Sequence, residues 1–147
     1  MRILVAVDDS KYSEAAVRML IGQFPPKGND VRVLNVIEPL PSIYGGAQWG
    51  YVADWQAVTR EQRKAAEELV AQAAQTVRGA GFETTAEIGE GDPKAVILDC
   101  AAKWPADLII MGPHGRKALE RFLLGSVSEG VARHAPCSVQ IVRARNA

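Results

Sequence analysis

The sequence predicts a doubly wound α/β domain, a parallel sheet with helices on both faces. Three observations carry this. Four short runs, Ile3 to Val7, Val31 to Ile37, Leu108 to Met111 and Val139 to Val142, are almost continuous Val, Ile and Leu, as strands buried on both faces require. Segments with helical spacing of apolar residues lie between them. The 147 residues suit one domain, which at this length buries roughly two-thirds of the surface its unfolded chain exposes.

Taken in order, Ile3 to Val7 meets Asp8 too soon for a signal-peptide core and reads as a buried strand. Ser10 is suited to cap a helix running through Ser13 to about Gln23, with Ala16, Met19 and Leu20 inward, and Pro25-Pro26 ends it. After the second strand, Glu38 to Asp54 holds Pro39, Pro41, Gly45, Gly46 and Gly50 with Tyr44, Trp49 and Tyr51. This is a mobile loop or lid, whose aromatics either cover a ligand or pack on neighbouring helices or a second subunit.

From about Ala57 to Arg78 the spacing predicts a helix with Ala66, Leu69, Val70, Ala73 and Val77 on one face. Arg60, Arg63 and Lys64 alternate with Glu61, Glu67 and Glu68 on its solvated side. Glu83 to Ile88 is a weaker and more polar run, compatible with an outer strand. Asp92-Pro93 supplies an N-cap and a first-position proline for a helix to about Lys103. A last helix is expected from Ser126 to Arg133, stopped before Pro136. With no internal repeat, residues 1–147 read as one domain.

Seventeen basic and seventeen acidic residues cancel, which leaves no basic stripe to bind nucleic acid or an anionic membrane. No run approaches the roughly 20 apolar residues of a membrane span, so a soluble, cytoplasmic protein is expected. Cys100 and Cys137 form no disulfide framework, and Cys100, inside the apolar run Ala95 to Ala102, reads as a buried, inert thiol. No residues have the spacing of a tetrahedral metal site.

The chemistry is concentrated in Met111-Gly112-Pro113-His114-Gly115-Arg116 and its continuation Leu124-Gly125-Ser126-Val127-Ser128. The segment begins where the fourth strand ends. Its glycines suit a sharp turn or close approach to a ligand. Gly125-Ser126 then opens a helix whose unpaired N–H groups and dipole attract phosphate. Ser126 and Ser128 add hydroxyls, and Arg116 and Lys117 add positive charge. The pattern is that of a polyphosphate cradle, although ordinary turns account for the glycines equally well. It is neither a Walker-type phosphate loop nor a Gly-x-Gly-x-x-Gly dinucleotide fingerprint.

The order Gly112, two residues, Gly115, nine residues, Gly125-Ser126 resembles the ATP-binding signature of universal stress proteins. Also similar are Ile3-Leu4-Val5-Ala6-Val7-Asp8-Asp9-Ser10, Gly91-Asp92-Pro93 and His134-Ala135-Pro136-Cys137-Ser138-Val139. The resemblance spans nearly the whole chain except the Glu38–Asp54 loop. It implies a five-stranded sheet ordered 3-2-1-4-5 and a homodimer. That order puts strands one and four side by side with reversed winding, the place where ligands sit in such sheets.

By the same resemblance, Ala6, Val7 and Asp8 line the adenosine site, with Asp8 accepting a hydrogen bond from base or ribose. Val36 packs on the adenine face, and Met111 and Gly112 lie against base and ribose. His114, Gly115, Gly125, Ser126, Val127 and Ser128 surround the triphosphate; apart from the resemblance, Arg116 is expected to add its charge there, with Mg2+ arriving on the phosphates. Plainer roles stand beside these: Asp8 as a cap of the first helix or its turn, Val36 as core, His114 as a solvated loop residue and His134 as a helix-end residue. No general base is evident, so an ATP-binding regulator with little or no turnover is expected. The alternatives are a slow ATPase or autophosphorylating enzyme, with Ser126 or Ser128 modified, and a nucleotide-independent dimeric scaffold. The last strand, Ser138 to Arg143, is an edge under the implied order and is expected to pair with its copy.

Overall fold

The computed structural model describes residues 1–39, 52–115 and 124–145. Strands and helices alternate as β1 (Arg2–Ala6), α1 (Lys11–Gln23), β2 (Asp30–Ile37), α2 (Val52–Gly79), β3 (Glu83–Glu90), α3 (Pro93–Lys103), β4 (Leu108–Met111), α4 (Ser126–His134) and β5 (Ser138–Ile141). All five strands are parallel, in the order β3-β2-β1-β4-β5. The chain winds outward from β1 through β2 to β3, then crosses back to place β4 on the other side of β1. The loops after β1 and β4 therefore leave in opposite directions and open a crevice between them.

The period-two alternation of strand side chains sorts the core into two layers. Ile3, Val5, Val31, Val33, Leu108 and Ile110 face α1 and α2, where they pack on Ala16, Val17, Leu20, Val70, Ala74 and Val77. Leu4, Leu34, Ile109 and Met111 face the other way, onto Ile97, Cys100 and Ala101 of α3 and Val131 of α4. Register keeps like with like: Ile3 stands beside Val31 and Leu108, and Val5 beside Val33 and Ile110.

Three expectations need correction. Met19 is 43% exposed rather than inward, because the buried stripe of α1 is Ser13, Ala16, Val17 and Leu20. The helix expected from about Ala57 begins at Val52. Gly50 is the last helix breaker before Gly79, so nothing stops the helix from taking the end of the expected Glu38–Asp54 loop. Glu38 and Pro39 are exposed, and residues 40–51 of that loop lie outside the described residues. The last strand stops at Ile141, since its neighbour β4 ends at Met111, although the Val142 N–H still donates to the Met111 carbonyl at 2.8 Å.

Asp92 caps α3 as expected, its Oδ2 accepting the Ala95 N–H at 3.0 Å, with Pro93 following at the first helical position. Cys100 is 7% exposed and its Sγ lies 3.7 Å from Glu87 Oε2. Arg32 holds the same carboxylate at 3.1 Å, and its guanidinium stacks 4.6 Å over Trp104. Burial pushes the Cys100 thiol pKa upward, helped by the Glu87 charge and opposed by Arg32. No helix among the described residues is long and apolar enough to cross a membrane.

Candidate functional site

The crevice is framed first by the turn from β1 into α1. The Asp8 N–H donates to Ser13 Oγ at 2.6 Å. The Ser13 hydroxyl donates back to Asp8 Oδ1 at 2.9 Å, and the Ser10 N–H donates to that same oxygen at 2.9 Å. Asp8 thus closes the turn and supplies the acceptor for the first turn of α1, the plainer of its two expected roles. Ser10 sits at the N-cap with extended backbone, but its side chain makes no capping bond. Its Oγ is buried with no partner among the described residues.

The second frame is the loop after β4. The Pro113 carbonyl accepts the Gly125 N–H at 2.8 Å and the Ser128 hydroxyl proton. This latch holds the start of α4 against the glycine loop across the residues between them. Ser128 is 1% exposed, and the Gly125 carbonyl lies 3.2 Å from its Oγ as a further acceptor. The Ser128 hydroxyl, expected to face phosphate, is instead turned inward and occupied, so toward the crevice Ser128 offers only its N–H. Ser126 is exposed.

The glycines are required for room. A Cβ on Gly112 would lie 2.6 Å from Tyr12 Cβ. One on Gly125 would lie 2.9 Å from His114 Cβ and 3.2 Å from its Cα. The φ of Gly125 is −66°, open to any residue, so contact and not backbone strain selects glycine there. A Cβ on Gly115 would stand 3.1 Å from Asp8 Oδ2. The two loops, distant in sequence, therefore meet at Asp8 and Gly115.

His114 stacks edge-to-face on Tyr12, ring centroids 4.6 Å apart at 82°. Its Nδ1 is buried with no partner among the described residues. The N–H groups of Ser126, Val127 and Ser128 lie in the first turn of α4, where a helix supplies no acceptor of its own. Their dipole end is positive. Glu129, in that same turn, is engaged by Arg133 at 2.9 Å.

Four of the expected site residues share one layer of the core. Ala6, Val36, Met111 and Val127 all belong to the packed layer facing α3 and α4. Val7 belongs to the opposite layer, so its side chain faces away from these four. Its main chain is held, the N–H donating to the Leu34 carbonyl at 2.8 Å and the carbonyl accepting from Asn35 Nδ2 at 2.7 Å. Arg116 and Lys117 lie outside the described residues. No cluster of three or more His, Cys, Asp or Glu among the described residues could hold a metal.

Sequence reasoning missed Tyr12, Ser13, Asn35 and the Pro113 carbonyl. Asn35 did leave a signal, being the one amide inside Val33-Leu34-Asn35-Val36-Ile37, where a polar side chain needs a partner.

The family model for the universal stress protein family matches residues 1–143. A universal stress protein of Synechocystis sp. is 32% identical, with 97% of each chain covered. A putative universal stress protein of Staphylococcus aureus is 37% identical over 145 residues, covering 96% of this chain and 82% of that one. Among solved structures, the universal stress protein from Archaeoglobus fulgidus in complex with dAMP superposes with a TM-score of 0.69 at 25% identity, covering 97% of this chain and 98% of that one. Sequence and fold agree over the same residues, and the chain belongs to the universal stress protein family.

Proposed function

We propose that this protein binds ATP in the crevice between the ends of β1 and β4 and acts as a stress-response regulator with little or no turnover. The observation that carries this is the latch at Pro113, which fixes the glycine loop over the first turn of α4 and so presents its N–H groups together. The buried, unpartnered Nδ1 of His114 marks a polar position in that loop still to be satisfied. The relative solved with dAMP has the same fold, which supports an adenine nucleotide as the ligand class.

Residue by residue, Ala6, Val36 and Met111 would form the apolar side for adenine. The Val7 main chain and Gly112 would bound the nucleoside. The second oxygen of Asp8 would accept from ribose. Gly115, His114, Arg116 and the first turn from Gly125 to Ser128 would surround the phosphates, neutralised by helix dipole and Mg2+. Asp8 Oδ1 is already held by two donors, and the His114 ring is stacked on Tyr12 while Gly125 crowds its Cα and Cβ. Both are committed to holding the site together, which supports binding over hydrolysis.

We assign the working form as a cytoplasmic homodimer joined through the edge at Ser138 to Arg143. Among the described residues β5 has β4 as a neighbour on one side only, leaving backbone groups to pair with a copy. A single-chain mass by light scattering at micromolar protein overturns the dimer. The charge balance supports small-molecule and protein partners over nucleic acid. Calorimetric titration of nucleotide-stripped protein with magnesium-ATP tests the main reading. Micromolar binding with about one site per chain is the expected outcome. The absence of binding, with no competition by AMP or dAMP, overturns it.

A further inference from the structure

The first turn of α1 presses on the glycine loop at two points. Tyr12 Cβ occupies the space a side chain on Gly112 would need, 2.6 Å away. Its ring meets the His114 imidazole edge-to-face, with centroids 4.6 Å apart and planes at 82°. At the base of the same side chain, a Cβ on Gly125 would lie only 2.9 Å from His114 Cβ. His114 is thus held at its ring by Tyr12 of α1 and crowded at its Cα and Cβ by Gly125 at the start of α4, with Nδ1 buried and unpartnered among the described residues. Lys11 lies 5.4 Å from the centroid of the same Tyr12 ring, and Asp8, two residues before Ser10, ties the turn beneath it.

We infer that Tyr12 is a positioning residue for the nucleotide site: its ring fixes the orientation of His114 and, through His114 and Gly125, the seating of the glycine loop over α4. The inference rests on the ATP-binding reading and adds to it a residue outside the glycine signature. A rotating imidazole would sample several directions for Nδ1, whereas a ring held edge-to-face samples one, so the bound state loses less freedom on forming. The contact uses the aromatic ring and not the phenol oxygen. Tyr12→Phe therefore preserves it, and Tyr12→Leu fills space without it.

The test has two arms on the full chain. In the first, without nucleotide, ring-proton NMR signals of His114 are followed in wild type, Tyr12→Phe and Tyr12→Leu. His134, the only other histidine, is exposed at the far end of α4 and serves as the internal control. The expected result is a shift of the His114 signals in the Leu variant only, with His134 unmoved. In the second arm, magnesium-ATP is titrated into each protein. The Leu variant should bind about 2- to 10-fold more weakly, the range that one aromatic pair contact carries, and the Phe variant should match wild type. Unmoved His114 signals in the Leu variant overturn the inference, as does wild-type affinity in that variant. A wild-type protein that takes up no ATP overturns the functional reading and the inference together. That outcome is told apart because then no variant shows binding heat.

Discussion

Gly125→Ala adds one methyl group at the junction of loop and helix, and its effect can be worked from the distances. The new Cβ would stand 2.9 Å from His114 Cβ and 3.2 Å from His114 Cα. Comfortable carbon–carbon contact needs about 3.5–4.0 Å, so His114 or the start of α4 must yield by roughly 0.6 Å or more. Overpacking of this kind costs about 1–3 kcal/mol in a rigid core. Gly125 and His114 are half-buried and not in the core, so the stability loss should fall near 1 kcal/mol, about 3–4 °C in melting temperature for a chain of this size. The larger effect belongs to the ligand. A shift of that size spoils the alignment of the first-turn N–H groups, and losing one charge-assisted hydrogen bond, about 1.5–3 kcal/mol, weakens binding roughly ten- to hundredfold. Thermal melts and ATP calorimetry read the two quantities separately. Wild-type affinity in Gly125→Ala would refute the placement of phosphate at this turn, and an unchanged melting temperature would refute the crowding argument.

The same chemical change should have the opposite sign at Gly22, where nothing lies within 4 Å of the added Cβ and the residue is exposed within α1. Gly22→Ala should stabilise by about 0.5–1 kcal/mol through helix propensity, read as a higher melting temperature with unchanged nucleotide affinity. Asp92→Ala removes the 3.0 Å cap on Ala95 and should lose about 1 kcal/mol, and Asp92→Asn should recover most of it in denaturant titrations. Burial raises the pKa of both thiols, Cys100 with the Glu87 carboxylate adding to it and Cys137 with Asp107 adding to it. The folded state thus holds these protons more tightly than the unfolded one. The resulting stability is full below the ordinary thiol range and is lost as pH rises through the folded-state pKa values. Denaturant titrations from about pH 8 to 10 should show a steeper decline for wild type than for Cys100→Ala, and equal slopes would show that Cys100 does not contribute.

The strands were legible because a sheet covered on both sides leaves no polar alternation to confuse the pattern, and all five expected runs became strands. The order 3-2-1-4-5 was not in the periodicity. It came from the resemblance, since burial on two faces looks the same at every inner position. Met19 shows the limit of local spacing. It lies beside Leu20 in sequence and one step off the stripe Ser13, Ala16, Val17 and Leu20, so a small error in helical phase turns an exposed residue inward. Ser128 shows another limit. Its hydroxyl was visible, but its direction is set by a carbonyl 15 residues earlier, which no local pattern encodes.

The same reasoning explains why the glycines could be seen and their causes could not. A sequence shows that a side chain is absent without showing what took its place. In the fold the three missing Cβ atoms are answered by three different neighbours: Tyr12 at Gly112, Asp8 at Gly115 and His114 at Gly125. Two of those neighbours, Asp8 in the β1–α1 turn and Tyr12 in the first turn of α1, lie 100 or more residues before the glycines they oppose. The third belongs to the glycine loop itself and is braced by that turn through Tyr12. The glycines are thus half of a fitted surface whose other half is Tyr12 and Asp8, the latter tied down by Ser13. Alanine at Gly112 meets the Cβ of a helical residue, which no rotamer change can remove, and alanine at Gly115 meets the end of a carboxylate held on its other oxygen. The first should therefore be tolerated far less well than the second, although the two positions read alike in the sequence.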